Sequence, residues 1–251
     1  MDPRRTKTIL VTGAAGGLGS ALSMLAAVSG WQVIMIDKDS RALEKLYDAI
    51  VASGGIVPVL HPLDLCAIGP EECQQLVVAL QQQFAGLDAL VHCAVFFPGL
   101  QPLDLIEPES WLKQMQVNIN APWLLSVSLL PLLRLPILSS LIFVLDEQAR
   151  SKALWGAYGV GKAAIQALAD QFRAELIGST ICVHAVEPGA MRTSLRSSVY
   201  HSENPASVGT SGPKAGQILF LLEHADKQRE FLLRLNHHEN AEDSPREQLC
   251  S

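Results

Sequence analysis

A chain of 251 residues, nearly half of them hydrophobic, is long enough to bury one sizeable core and too short for two full α/β domains. Its net charge of −6, with Lys and Arg scattered, argues against a nucleic-acid binder. Five cysteines (Cys66, Cys73, Cys93, Cys182, Cys250) form no C-x-x-C and have no histidine at ligand spacing, so neither a disulfide framework nor a metal site is expected, and the compartment expected is a reducing cytosol.

The N-terminus is basic, but the apolar run that follows is one strand long and leads into a glycine turn, unlike a signal peptide. That run, Ile9-Leu10-Val11, stops at Gly13; Gly17 and Gly19 then open a helix whose apolar positions are Leu22, Leu25, Ala26 and Val28. Strand, glycine turn and helix start in this order suit a dinucleotide: the glycines let the backbone approach a pyrophosphate, and the helix N-terminus offers free N–H groups. A second strand, Trp31-Gln-Val-Ile-Met-Ile-Asp37, ends in an acid about twenty residues on, where a carboxylate would take the adenosine ribose hydroxyls. Asp37 would repel a 2′-phosphate, so NAD(H) is favoured; Lys38 directly after it keeps NADP(H) as the alternative.

The alternation continues. Residues 41–52 read as a helix closed by Gly54-Gly55, 56–60 as a third strand running to Asp64, 71–84 as a helix and 87–93 as a fourth strand. A long helix over 109–130, a fifth strand over 141–145, a helix over 156–176 and a sixth strand over 181–186 follow. Residues 123–145 are apolar enough to raise the question of a membrane span, but Pro131, Arg134, Pro136 and Ser139-Ser140 divide them into a helix end, a turn and a buried strand. Beyond Pro188-Gly189 a Ser-rich stretch lacks a period. A helix over 214–222 and a last strand over 230–235 then precede a polar tail, 237–251. This pattern predicts a single Rossmann domain over 1–236, an α/β doubly wound parallel sheet of about seven strands with helices on both faces.

Tyr158 and Lys162, four residues apart, share a helix face, so the ammonium would lie near the phenol and lower its pKa toward neutrality. The pair falls on the helix after the fifth strand, and substrate sites in such sheets lie beyond the strands' carboxyl ends.

With these elements in place the sequence resembles the short-chain dehydrogenase/reductase family from about residue 6 to residue 234. Thr12-Gly-Ala-Ala-Gly-Gly-Leu-Gly19 matches the family's cofactor motif, which implies Gly13, Gly17, Leu18 and Gly19 at the cofactor. The adenine-contacting pair is matched by Asp64-Leu65, the turn after strand four by a segment containing Ala94, and the nicotinamide turn by Pro188, Gly189 and Thr193. The resemblance implies Tyr158 as acid/base, Lys162 tuning it and contacting the nicotinamide ribose, and Asn118 ordering a proton-relay water. Trp155-Gly-Ala-Tyr158, Glu72-Cys-Gln-Gln-Leu76 and Met191-Arg-Thr-Ser-Leu-Arg-Ser197 also resemble the bacterial YciK-type branch.

Two positions depart from the family pattern. The serine expected thirteen residues before the tyrosine is Leu145, and losing one such donor typically costs on the order of 10²–10³ in turnover. Asp146 beside it is no simple substitute, because an ionised carboxylate accepts hydrogen bonds and opposes a phenolate. The Asn-Asn-Ala-Gly turn after strand four is here His92-Cys93-Ala94-Val95, with β-branched Val95 in place of glycine. His92 and Cys93 read as packed strand-end residues rather than as a base and a nucleophile.

The reading that follows is an NAD(H)-dependent oxidoreductase acting on a small secondary alcohol or ketone; the alternative is a nucleotide-binding protein with little turnover, serving as a cofactor sensor or partner binder. Residues 190–212 would cover the substrate with a polar lid. Neither nucleic acid nor membrane is expected as a partner, and the resemblance implies a homodimer or homotetramer paired through the long helices.

Overall fold

The computed structural model describes residues 5–225 and 231–235. The strands are β1 (Thr8–Thr12), β2 (Gln32–Asp37), β3 (Val59–Pro62), β4 (Ala89–His92), β5 (Ser139–Val144), β6 (Ile181–Glu187) and β7 (Leu232–Arg234). All pair in parallel, in the order β3-β2-β1-β4-β5-β6-β7. The helices are α1 (Gly17–Val28), α2 (Ser40–Ala52), α3 (Pro70–Gln83), α4 (Pro108–Met115), α5 (Ala121–Leu133), α6 (Gly156–Glu175), α7 (Ser194–Ser197) and α8 (Gly212–Glu223).

Strand side chains alternate between faces, and the two faces make two cores. Leu10, Leu90, Leu141 and Phe143 pack with α3, α5 and α6. Ile9, Val11, Met35, Val91 and Ile142 pack with α1, α2 and α8. Because both faces are covered, the central strands read as continuous apolar runs rather than alternating ones. The strand order reverses between β1 and β4, and the crevice beyond their carboxyl ends is where such a sheet holds its ligand.

Two expected elements differ. The third strand lies at Val59–Pro62, later than 56–60. Residues 56–57 are drawn instead to the end of α1 and the start of β2: Ile56 N–H donates to the Ala27 carbonyl (3.0 Å), and the Val57 carbonyl accepts from Gln32 Nε2 (3.0 Å). The helix expected over 109–130 is two helices joined by a wide π-turn, Gln116–Asn120, and it runs on to Leu133 with Pro131 inside its last turn. The apolar stretch 123–145 divides into the rest of α5, a turn and β5, and among the described residues no helix is long and apolar enough to cross a membrane. The tail 237–251 and residue 230 of the expected last strand lie outside the described residues.

Candidate active site

The carboxyl ends of β1, β4, β5 and β6 open on one elongated cavity of about 470 Å³. Gly13, Gly17, Leu18, Gly19, Asp37, Asp64, Leu65, Ala94, Tyr158, Lys162, Pro188, Gly189 and Thr193 all line it. Asn118 does not.

One end is built from the glycine turn. Gly13 has φ +64°, and a Cβ there would stand 2.6 Å from the Ala94 Cα, so only glycine lets the loop after β4 pass so close. A Cβ on Gly17 would stand 2.5 Å from the Thr193 methyl, which brings the Pro188–Thr193 segment over the same turn. Helix α1 has Gly16 as its N-cap, with no side-chain cap and no acid in its first turn, leaving its N–H groups and dipole to meet an anion. That end fits the pyrophosphate of a dinucleotide. Asp37 stands at the rim, where Oδ2 accepts from Ala15 N–H (3.0 Å) and Oδ1 from Asp39 N–H (3.1 Å).

At the other end Tyr158 is buried, and its hydroxyl donates to Asp146 Oδ2 at 3.2 Å. Asp146 Oδ1 accepts from Ala149 N–H (3.2 Å), so the carboxylate is held from both sides. Lys162 is buried too. Its Nζ donates to the Val144 carbonyl (2.8 Å) and lies 5.6 Å from the Tyr158 ring centre. Glu187 completes the wall, accepting from Glu147 N–H (2.6 Å) and Gly189 N–H (3.0 Å).

These contacts correct the expected ionisation of Tyr158. Burial, then the charge and hydrogen bond of Asp146, then Glu187, push the phenol well above its ordinary value, and Lys162 does not reverse this. Tyr158 keeps its proton at neutral pH. Burial lowers the Lys162 pKa, against the opposing pull of Asp146 and Glu187. Glu187 is raised by burial, against the two backbone N–H groups it accepts.

Leu145 directly follows β5 at this wall: its N–H reaches the Val186 carbonyl (2.8 Å), its side chain is buried in the α3–α5–α6 core, and the residue lines the cavity. Ser139 and Ser140 lie at the start of β5, far from the cavity end of the strand.

Asn118 sits in the π-turn, and both ends of its amide are used on one residue. Its Nδ2 donates to the Phe96 carbonyl (2.9 Å) and its Oδ1 accepts from Phe96 N–H (2.8 Å). It positions the 93–97 loop that forms the cavity roof. His92 stacks on Phe143 and shares a 2.9 Å hydrogen bond with Ser126, and burial lowers its pKa to about 3. Burial pushes the Cys93 thiol up to about 12, so it is no nucleophile at neutral pH. Val95 lines the cavity with its side chain partly in solvent, leaving the turn open.

The segment expected as a polar lid, 190–212, presents apolar as well as polar side chains to the cavity. Leu195, Val199 and Tyr200 pack against Phe97, Trp155 and Tyr158. Ser194, Arg196 and Ser198 also line the cavity, and Arg196 is bound to Glu203 through two bonds of 2.6 Å. Phe97 and Glu187 were not singled out from sequence; the doubled Phe96-Phe97 after a strand and an acid directly before Pro188-Gly189 were the available signals.

The family model for short chain dehydrogenase matches residues 7–204, most of this chain and the whole of the cavity just described. The chain belongs to the short-chain dehydrogenase family. This short-chain dehydrogenase is 34% identical to the uncharacterized oxidoreductase YciK of Escherichia coli K12, over 88% of each chain. It superposes with TM-score 0.83 on a short chain dehydrogenase of Shigella flexneri 2a described as complexed with NADP, at 30% identity and covering 91% of this chain and 95% of that one. A protein of E. coli CFT073 described as complexed with NADPH gives TM-score 0.83 at 30% identity, with 91% and 96% covered. NAD(P)-linked oxidoreductase chemistry is the family's common ground, and the seven-stranded parallel sheet is its Rossmann fold.

Proposed function

We propose that this chain is an NAD(H)-dependent oxidoreductase working in the direction of reduction. The observation that carries the reading is that one cavity joins an uncapped helix N-terminus with an acid at the end of β2 to a buried Tyr158 and Lys162. Bound NADH would supply the hydride. Tyr158, held protonated, donates its hydrogen bond to the reacting heteroatom, Lys162 holds its cation beneath the same wall, and Asn118 keeps the roof loop in place through Phe96. Thr193, Pro188 and Gly189 line the same cavity. Asp37 supports NAD(H) over NADP(H), because its fixed carboxylate would repel a 2′-phosphate. The NADP and NADPH of the two solved relatives make this preference the point to test.

Calorimetric titration with NADH and NADPH, for wild type and Asp37→Ala, decides it. Tighter NADH binding that is lost or reversed in the variant is expected; binding of neither nucleotide overturns the oxidoreductase reading. A second reading, a nucleotide-binding protein with little turnover, is supported by Leu145, which presents hydrocarbon where the family pattern has a serine. We also propose a cytosolic homo-oligomer paired through α5 and α6, on which Trp123 and Val160 are exposed; light scattering in solution tests that pairing.

A further inference from the structure

The oxidoreductase reading leaves the substrate open, and the reactive end of the cavity constrains it. Leu145 offers no donor there. Asp146 offers an acceptor, its Oδ1 held by Ala149 N–H at 3.2 Å and its Oδ2 taking the Tyr158 hydroxyl at 3.2 Å. Glu187 adds a second carboxylate to the same wall. The opposing charges are Lys162, whose Nζ is already bound to the Val144 carbonyl, and Arg196, whose guanidinium is engaged by Glu203. Aromatic side chains form the facing wall: Phe97 lies 5.3 Å from Trp155 and 4.8 Å from Tyr158 between ring centres, and Tyr200 lines the same space.

A carbonyl is poorly matched to such a wall. As it is reduced, negative charge grows on its oxygen beside a fixed carboxylate, and the Tyr158 hydroxyl is already bonded to that carboxylate. A nitrogen cation is matched: the carboxylate accepts a charge-assisted hydrogen bond from N–H⁺, and aromatic faces attract organic cations. We propose that the substrate is an iminium, a carbon–nitrogen double bond bearing a protonated nitrogen, which is reduced to an amine with Asp146 receiving its N–H. The inference rests on the oxidoreductase reading. The carbon gains a hydrogen with its two electrons from the reduced nicotinamide, the C=N π pair becomes the nitrogen lone pair, and no other proton moves. The positive charge lost by the substrate reappears on the oxidised nicotinamide ring, so Asp146 and Glu187 face a cation before and after the step. Tyr158, freed from Asp146, donates to the new lone pair.

The test begins with binding. The NADH-loaded protein is titrated calorimetrically with cyclohexylammonium and with its neutral counterpart cyclohexanol. The ammonium should bind at least ~10-fold tighter, as a charge-assisted bond implies, and Asp146→Asn should erase the preference. Asparagine still accepts from Ala149 N–H, and Asp146→Ser is a second variant that keeps this cap. In turnover with NADH, 2-methyl-1-pyrroline should outpace cyclopentanone. Equal or tighter binding of cyclohexanol, a preference that survives in both variants, or faster reduction of cyclopentanone overturns the inference. Nucleotide fluorescence separates the two levels: NADH that does not bind removes the oxidoreductase reading and the inference with it, whereas bound NADH without ammonium preference removes the inference alone.

Discussion

Replacing Leu145 by serine perturbs chemistry and stability at one position, and both effects can be sized. Leu145 is 2% exposed, belongs to the larger apolar core and also lines the cavity. Leu145→Ser removes three carbon groups, roughly 0.8 kcal/mol each. The void adds to that, but it opens onto the cavity, where water fills it and meets the new hydroxyl, so about 2–3 kcal/mol is expected. With a urea slope of about 2–3 kcal/mol/M, the midpoint should fall by ~1 M. The same hydroxyl supplies a donor beside Tyr158, so turnover of cyclopentanone with NADH should rise by on the order of 10²–10³. Turnover of 2-methyl-1-pyrroline, which develops no oxyanion, should change little. Urea unfolding followed by tryptophan fluorescence, with initial rates on the two substrates, reads both effects. Unchanged ketone turnover with NADH affinity retained would refute the placement of Leu145 at the donor position, and an unchanged midpoint would refute its packing.

Asp146→Asn should lower the Tyr158 ionisation toward the ordinary tyrosine value without reaching it, because burial remains; phenolate absorbance in an alkaline titration measures this. Since the folded phenol keeps its proton above pH ~10 while the unfolded one loses it, wild-type stability should fall as pH rises past that value, and less steeply in the variant. His92 is lowered to about 3, so between pH 6.5 and 3 the unfolded chain binds a proton that the native chain does not. Stability is therefore full above pH ~6.5 and should drop on acidification by up to about 1.4 kcal/mol per pH unit, a component that His92→Asn should remove from urea midpoints measured at pH 7 and pH 5.5. Gly13→Ala puts a methyl 2.6 Å from the Ala94 backbone at φ +64°; NADH affinity should fall at least ~10-fold by calorimetry, with a lower thermal midpoint.

The sheet was legible because its strands are buried on both faces and announce themselves as apolar runs, Ile9-Leu10-Val11 and Val33-Ile34-Met35-Ile36 among them. The gathering of Gly13, Gly17 and Asp37 at one cavity was legible because spacing carries it: they stand at fixed offsets from strand ends. Strand β3 was displaced because Ile56 and Val57 are apolar and β-branched, yet their backbone groups go to Ala27 and Gln32, partners that no local pattern announces. The ionisation of Tyr158 was misjudged for a similar reason. Lys162 is four residues away in sequence and visible, whereas Asp146 and Glu187 arrive from two other strand ends and outweigh it once the phenol is buried. The apolar part of segment 190–212 was hidden because Leu195, Val199 and Tyr200 are few among its polar residues, and only folding gathers them on Phe97 and Trp155.

The π-turn at Gln116–Asn120 makes one segment of this chain intolerant of length change. There the Ala121 N–H bonds to the Gln116 carbonyl five residues back, so the segment holds one residue more than a regular helix would accommodate. Each residue rotates a helix by about 100°. Deleting one residue here would restore a regular helix and force a choice: either Leu125 and Leu129 stay in the core and Asn118 swings off Phe96, or Asn118 keeps its two bonds and the buried row of α5 turns toward solvent. Any chimera that exchanges α5 between relatives must therefore carry the five residues before it as part of the same block.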